Sequence, residues 1–429
     1  MATEIMTNKS KAVVWENVPS PFCGIGTDDL VIEVDGTALK VLQNGCSVNR
    51  AGFEAPLTDS DPRIGGETVT LEEAVAKAAD ILRKTDLPLV GGLATDVNGM
   101  RAVLSLADRI GAVVDNMNST AAMRNLLALQ SGGWVNTTLA EVKNRADLVL
   151  VVGSDVASLF PRFFERYVWN QDAMFVDDTT KREVVFLGKA PTGDAATAPD
   201  GRAAEVLACA DADLPEVVAV LRALIHKKVI RTNEVGGIQL SSLQILAKKL
   251  KHARYGVVSW AAGALDFAHA ELTVQTLCEM IKDLNEHTRC SGLPLGGREG
   301  DQTANSVCGW ITGYPVRTSY ASGHPEYDPH LNSADRLLAS GEADALLWLS
   351  AFNVERTPPA TDVPTIVLGR SGTMFDTEPD VFIPVGTPGI DHGGHAYRTD
   401  NVVAVRLRKL RDSGLPSSAE VLSAIEQAL

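Results

Sequence analysis

From Val69 onward the chain alternates short apolar runs with amphipathic stretches, and that alternation limits the fold more than any other feature. TLEEAVAKAADILRK carries apolar residues at helical spacing, with acids in its first turn where they suit the helix dipole. LPLVGG follows as a short buried strand and NGMRAVLSLADRIG as a helix stopped at Gly111. AVVD, RADLVLVVGSD, YGVVSW, DALLWLS, PTIVLG, DVFIPV and VVAVRL read as further strands, and the alternation continues through 160–190. DLPEVVAVLRALIHKK, QLSSLQILAKKLKHA, ELTVQTLCEMIKDLNEH and the C-terminal segment read as helices. Short apolar strands joined by helices predict an α/β fold with parallel sheets. A chain of 429 residues has room for several packed units. The stretch 288–332 is rich in Gly, Pro and aromatics and reads as a long functional or interface loop.

The first 66 residues break the pattern. Two β-like runs, Leu30–Val34 and Ala38–Leu42, flank Asp35-Gly36, a dipeptide that favours a tight hairpin turn. Cysteine-bearing loops lie on either side, VPSPFCGIGTDD before and QNGCSVNRAGF after. Were Ser20 and Thr27 cysteines, the loop would read C-x2-C-x3-C followed by Cys46, the spacing of an iron–sulfur ligand set. Only Cys23 and Cys46 are thiols, and hydroxyls are poor ligands for cluster iron. Without the missing pair, Cys23 and Cys46 read as small buried residues beside a hairpin.

Charge and cysteine usage narrow the function classes. Lys and Arg total 39 against 54 Asp and Glu, a net charge of -15, which argues against binding nucleic acid or an anionic membrane surface. No apolar run reaches the length of a membrane span, and MATEIMTNKSKAVV lacks an apolar signal core, so a cytoplasmic location is expected. Six scattered cysteines do not make a disulfide framework.

Three weaker signals remain open. The turns VVGSD (151–155) and VGGLA (90–94) could bind phosphate but match neither the dinucleotide nor the Walker pattern. Cys290 and Cys308 have His287, His324 and His330 nearby in sequence, without a recognisable ligand spacing. His392-Gly-Gly-His395 could hold a metal or form a polar turn.

The order of these parts, together with TGYPVRTSYASGHPEYDPHLN (312–332) and IPVGTPGIDHGGHAYRTDNV (383–402), resembles the B subunits of formylmethanofuran dehydrogenase, a branch of the molybdopterin oxidoreductases. It is more similar still to the B subunits of the formyltransferase/hydrolase complex of methylotrophic bacteria. The resemblance implies Rossmann-like domains of the molybdopterin oxidoreductase type, with a degenerate iron–sulfur-type domain at 1–66 and an α/β core at 67–429, formed of two interleaved subdomains. It also locates the departures. The dehydrogenases hold a four-iron cluster on four N-terminal cysteines, of which Ser20 and Thr27 replace two here. They ligate molybdenum or tungsten through a Cys or selenocysteine in a segment corresponding to DNMNSTAAMRN, where this chain has Ala121, Ala122 and Met123. No cysteine lies between Cys46 and Cys209. The resemblance therefore implies a non-redox, scaffolding subunit in tetrahydromethanopterin-linked oxidation of C1 units to formate, with molybdopterin, Mo/W and the cluster lost. Its partners would be the other subunits, especially the amidohydrolase-like hydrolase subunit, and the furan-type C1 carrier. One alternative is an active Mo/W subunit using Ser119 or Asp115 as ligand. Another is a stand-alone binding protein for the carrier or a folate-like pterin.

Overall fold

The structure, a computed structural model, describes residues 12–58 and 60–429; most of the N-terminal segment read for a signal sequence lies outside them. The chain divides into two compact units, one formed by residues up to 117 with 298–397 and 404–429, the other by 118–297 with 398–403.

The first unit opens with a three-stranded antiparallel sheet of Val13–Val18, Leu30–Asp35 and Ala38–Gln43, in that spatial order. The expected hairpin is present and turns at Gly36, whose φ is +61°. The first strand was not expected. VVWENV has no apolar alternation and leaves Val13 and Val14 about half exposed, so what forms it is non-local pairing, with Val13 opposite Val34. Ile32, Val34, Leu39 and Val41 pack with Phe22, Phe53, Phe352 and Ile390 in one buried cluster.

The same unit holds a nine-stranded sheet. Its five central strands, Val113–Val114, Pro88–Ala94, Ala345–Ser350, Thr365–Arg370 and Val381–Val385, run parallel. They are buried along their whole length, as expected for strands covered on both faces. Antiparallel two-residue strands flank them, and the 63–68 hairpin on one edge spans the boundary expected at residue 66. Strand order reverses about Pro88–Ala94, which makes its carboxyl end a topological switch point. The helix Leu71–Leu82 starts with a capping box between Thr70 and Glu73, and Val97–Ile110 ends at Gly111 in the left-handed region.

The second unit is built on five parallel strands in the order Glu205–Ala208, Glu183–Gly188, Leu148–Val152, Gly256–Ala261, Cys290–Leu295, with a similar reversal about Leu148–Val152. Leu214–Ile225, Leu240–His252 and Ala270–Leu284 pack their apolar sides into its core. A π-helical turn, Phe164–Val168, interrupts the simple alternation; buried Arg182 donates to the carbonyls of Tyr167 at 2.9 Å and Val168 at 2.6 Å.

Two expectations are corrected. The 288–332 stretch is not a long loop, because it contains the strand Cys290–Leu295 and the helix Asp301–Thr312. Its Gly and Pro content hid them: Pro294 sits in an edge strand, where a missing donor is tolerated, and Thr303, Ala304, Val307 and Cys308 give the helix its buried face. VVAVRL adds no parallel strand, since Ala404–Leu407 pairs antiparallel with Gly394–Tyr397. Among the described residues, no helix is long and apolar enough to cross a membrane.

Buried arginines fasten the N-terminal sheet to the rest of its unit. Arg411 and Asp391, 3% and 2% exposed, pair at 2.7 Å, and Arg411 also donates to Thr37 O in the hairpin turn at 2.5 Å. Arg370 donates to Phe352 O at 2.9 Å and Gly52 O at 2.7 Å, beneath the Phe22 ring. Desolvation lowers the Arg370 guanidinium to about 10, partly opposed by Asp391. Removing one partner of a buried pair leaves the other charge uncompensated, so Arg411→Ala is expected to cost about 3–5 kcal/mol. Chemical denaturation followed by circular dichroism measures this, and a loss below about 1 kcal/mol, the range of a surface pair, contradicts the anchoring role.

Candidate functional site

The loop from Ser20 to Thr27 closes on itself. Ser20 N donates to Thr27 O at 2.7 Å and Gly26 N to Cys23 O at 3.1 Å. The Cys23 thiol donates to Thr27 Oγ1 at 3.0 Å, while Thr27 N donates to the sulfur at 3.3 Å. Ser20 Oγ donates to Asn49 Oδ1 at 2.7 Å and accepts from Phe22 N at 3.1 Å. Cys46 caps the helix Ser47–Phe53 and lies close enough for its charge to act on Cys23. The fold thus gathers Ser20, Cys23, Thr27 and Cys46 around one turn. Burial pushes the Cys23 thiol up, with the Thr27 bonds opposing and the charge of Cys46 adding to the rise. Asn49 was missed in the sequence; the available signal is its position three residues after Cys46, on the helix that Cys46 caps. It is fully buried, and its Nδ2 has no hydrogen-bond partner among the described residues.

Two thiols and two hydroxyls do not fit a four-thiolate cluster. Thr27 satisfies Cys23, and Ser20 satisfies Asn49, so the hydroxyls hold the turn by hydrogen bonds in place of metal bonds.

In the second unit Ala121, Ala122 and Met123 lie in the first turns of the helix Ser119–Gly132, with Met123 buried. A β-carbon added at Gly263 would lie 3.7 Å from the Ala121 methyl. Arg124 donates to Ala262 O at 2.7 Å and pairs with Asp266 at 3.0 Å. The helix start is therefore fastened at the carboxyl end of Gly256–Ala261, beside the strand where sheet order reverses. Two methyls and a thioether supply no anionic donor and do not fit a high-valent molybdenum or tungsten ion. Of the alternative ligands, Ser119 is buried at the head of this helix. Asp115, in the first unit, accepts from Ala334 N at 2.8 Å and faces Arg317 at 3.6 Å.

The weaker signals resolve into local structure. A β-carbon at Gly153 would come within 2.4 Å of Leu265 and 2.7 Å of Leu214, so the VVGSD turn is closed over by leucines. At Gly92 in VGGLA the obstacle is Leu349 O, 2.5 Å away, a close backbone approach. Burial pushes Cys290 to about 12 and Cys308 to about 11. Among the described residues no three His, Cys, Asp or Glu side chains are grouped to hold a metal. His287 lies just past the helix Ala270–Leu284, His324 pairs with Glu326 at 3.2 Å and His330 is exposed. His392 contacts the carbonyls of Gly386 at 3.2 Å and Gly393 at 2.9 Å, while His395 is exposed. A β-carbon at Gly394 would meet Asp96 Oδ2 at 2.4 Å, so a glycine lets this turn pass the cap of the helix Val97–Ile110.

With Cys23 buried and hydrogen-bonded, a thiol reagent at neutral pH is expected to label Cys46 before Cys23, Cys278, Cys290 or Cys308, which react only on unfolding. Mass spectrometry of the labelled sites checks this, and Cys23 reacting as fast as Cys46 contradicts the closed loop.

No protein-family profile matches the chain. It is 27% identical over 433 residues to the B subunit of the tungsten-containing formylmethanofuran dehydrogenase 2 of Methanocaldococcus jannaschii, covering 95% of this chain and 97% of that protein. It is also 27% identical over 369 residues to the B subunit of the formyltransferase/hydrolase complex Fhc of Methylorubrum extorquens, covering 84% and 95%. Among solved structures, the crystal structure of the formyltransferase/hydrolase complex FhcABCD from Methylorubrum extorquens with methylofuran matches at a TM-score of 0.71 and 27% identity, over 85% of this chain and 98% of that one. Acetylene hydratase from Pelobacter acetylenicus matches at 0.58 and 9% identity, over 97% and 70%, a likeness of fold alone. The chain is a homologue of the B subunits of formylmethanofuran dehydrogenase and of the formyltransferase/hydrolase complex.

Proposed function

We propose that this chain is a non-redox, structural subunit of a formyltransferase/hydrolase complex, acting in the cytoplasm in the oxidation of C1 units to formate. The observation that carries the reading is the hydrogen bond of 3.0 Å from the Cys23 thiol to Thr27 Oγ1, at a turn where relatives of the dehydrogenase type would need four thiolates. Ala121–Met123 support it from the second unit, because the sequence offers no thiolate there. Formyl transfer and hydrolysis move no electrons, so a chain without cluster or metal ligands can still serve such a complex by holding its subunits together. In this reading residues 1–66 are a degenerate iron–sulfur-type domain. The two reversing parallel sheets are the Rossmann-like core of a molybdopterin oxidoreductase that keeps the fold without the cofactor. The likeness to a complex solved with methylofuran supports other subunits, and a furan-type C1 carrier, as its partners.

The purified complex is expected to contain no stoichiometric Mo, W, Fe or acid-labile sulfide attributable to this chain. Elemental analysis finding about one Mo or W per chain ends the reading. Restoring the thiols by Ser20→Cys with Thr27→Cys is expected to let anaerobic reconstitution build an iron–sulfur cluster, seen as broad visible absorption absent from the unsubstituted chain. A folded double variant that stays colourless shows that the four positions are not a cluster site in disuse.

A further inference from the structure

We infer that the end of the helix Asp301–Thr312 and the loop after it form a docking face for another subunit, one that presents an apolar recess rimmed by Lys and Arg; the inference rests on the proposed function. The helix buries Thr303, Ala304, Val307 and Cys308. Its last turn and the loop after it come to the surface, leaving Trp310 53%, Ile311 50% and Tyr314 42% exposed. The rings form two pairs. Trp310 meets Tyr397 edge-on at 6.0 Å, and Tyr314 stacks on Tyr327 at 6.1 Å with planes 11° apart. Leu331 adds a further exposed apolar side chain near Tyr327 in sequence.

The face is held rigid from beneath. Arg317 is buried with a φ of +69°, a strained conformation for a non-glycine residue. It is kept there by Asp115 and by its bond to Pro329 O. Asn332 Nδ2 donates to Arg317 O at 3.2 Å and Glu326 O at 3.1 Å, and Asp328 accepts from the backbone of His330 and Leu331. A rigid aromatic surface loses little entropy on association, and Trp and Tyr anchor protein interfaces more often than other residues. The unit gains nothing from leaving these rings in water.

Charge selects the occupant. The basic residues of the segment are internally matched, Arg317 by Asp115 and Arg336 by Glu342 at 2.6 Å. Glu326, 58% exposed, has a histidine beside it, and Asp335 is exposed and makes no ion pair among the described residues. The segment therefore carries an acidic excess, in a chain whose net charge is -15, which favours a basic partner surface over a second copy of the same face.

The test uses the full chain co-expressed with the other subunits, followed by size-exclusion chromatography with light scattering. Trp310→Ala combined with Tyr314→Ala is expected to weaken co-elution at least about ten-fold, and Glu326→Lys to weaken it most at low salt. Thermal melting shows that the variants fold, and Met374→Ala, at a side chain 83% exposed elsewhere in the unit, should change nothing. Undiminished co-elution of a folded double variant overturns the docking face while leaving the proposed function standing. If the unsubstituted chain does not co-elute, the proposed function fails and the occupant with it. A dimer of the isolated chain that Trp310→Ala abolishes gives the face to a second copy and overturns the inference.

Discussion

The first unit depends on two guanidinium groups taken out of water. Arg411 and Arg370 reach from the C-terminal segment and a central parallel strand to Thr37 O and Gly52 O, both carbonyls of the N-terminal module. The three-stranded sheet of six-residue strands buries its apolar face against the rest of the unit. Its inward residues share one cluster with Phe352 and Ile390, but apolar contact fixes no orientation. The arginines do, because each is desolvated and loses its hydrogen bond to a module carbonyl if the module shifts. The position of the cysteine loop follows, since Phe22 lies against Arg370 and also packs on Phe53 and Phe352.

Much of this was legible in the sequence where the signal is local. The Asp35-Gly36 hairpin, the Thr70–Glu73 capping box and the stop at Gly111 depend on residues within a few positions of one another. The parallel strands were legible because burial on both faces writes continuous apolar runs. What escaped is what distant partners create. Val13–Val18 is a strand only because Leu30–Asp35 lies beside it, and Asp301–Thr312 is a helix inside a stretch whose glycines suggest a loop. Buried arginines look like surface residues until Asp391 and the receiving carbonyls are placed around them.

The candidate site divides the same way. The spacing matches that of a cluster ligand set, and Ser20, Cys23 and Thr27 share one hydrogen-bonded turn with Cys46 nearby. Spacing could not reveal that Asn49 joins them, nor that the hydroxyls bond within the loop. At Ala121–Met123 the sequence supplied the chemistry by what it lacks, while the structure supplied the location, a helix start tied to the turn after Gly256–Ala261 through Arg124. The two Gly-rich turns show the limit of motif reading, since each is filled by a side chain or a backbone atom that no local pattern announces.

The closure of the Ser20–Thr27 loop has a consequence for how the chain matures. A turn pinned by a thiol, two hydroxyls and an amide is complete once the polypeptide has its own residues in place. On the proposed reading its assembly needs no iron delivery, no sulfide donor and no protection from oxygen. On that reading the segment can reach its final form in air.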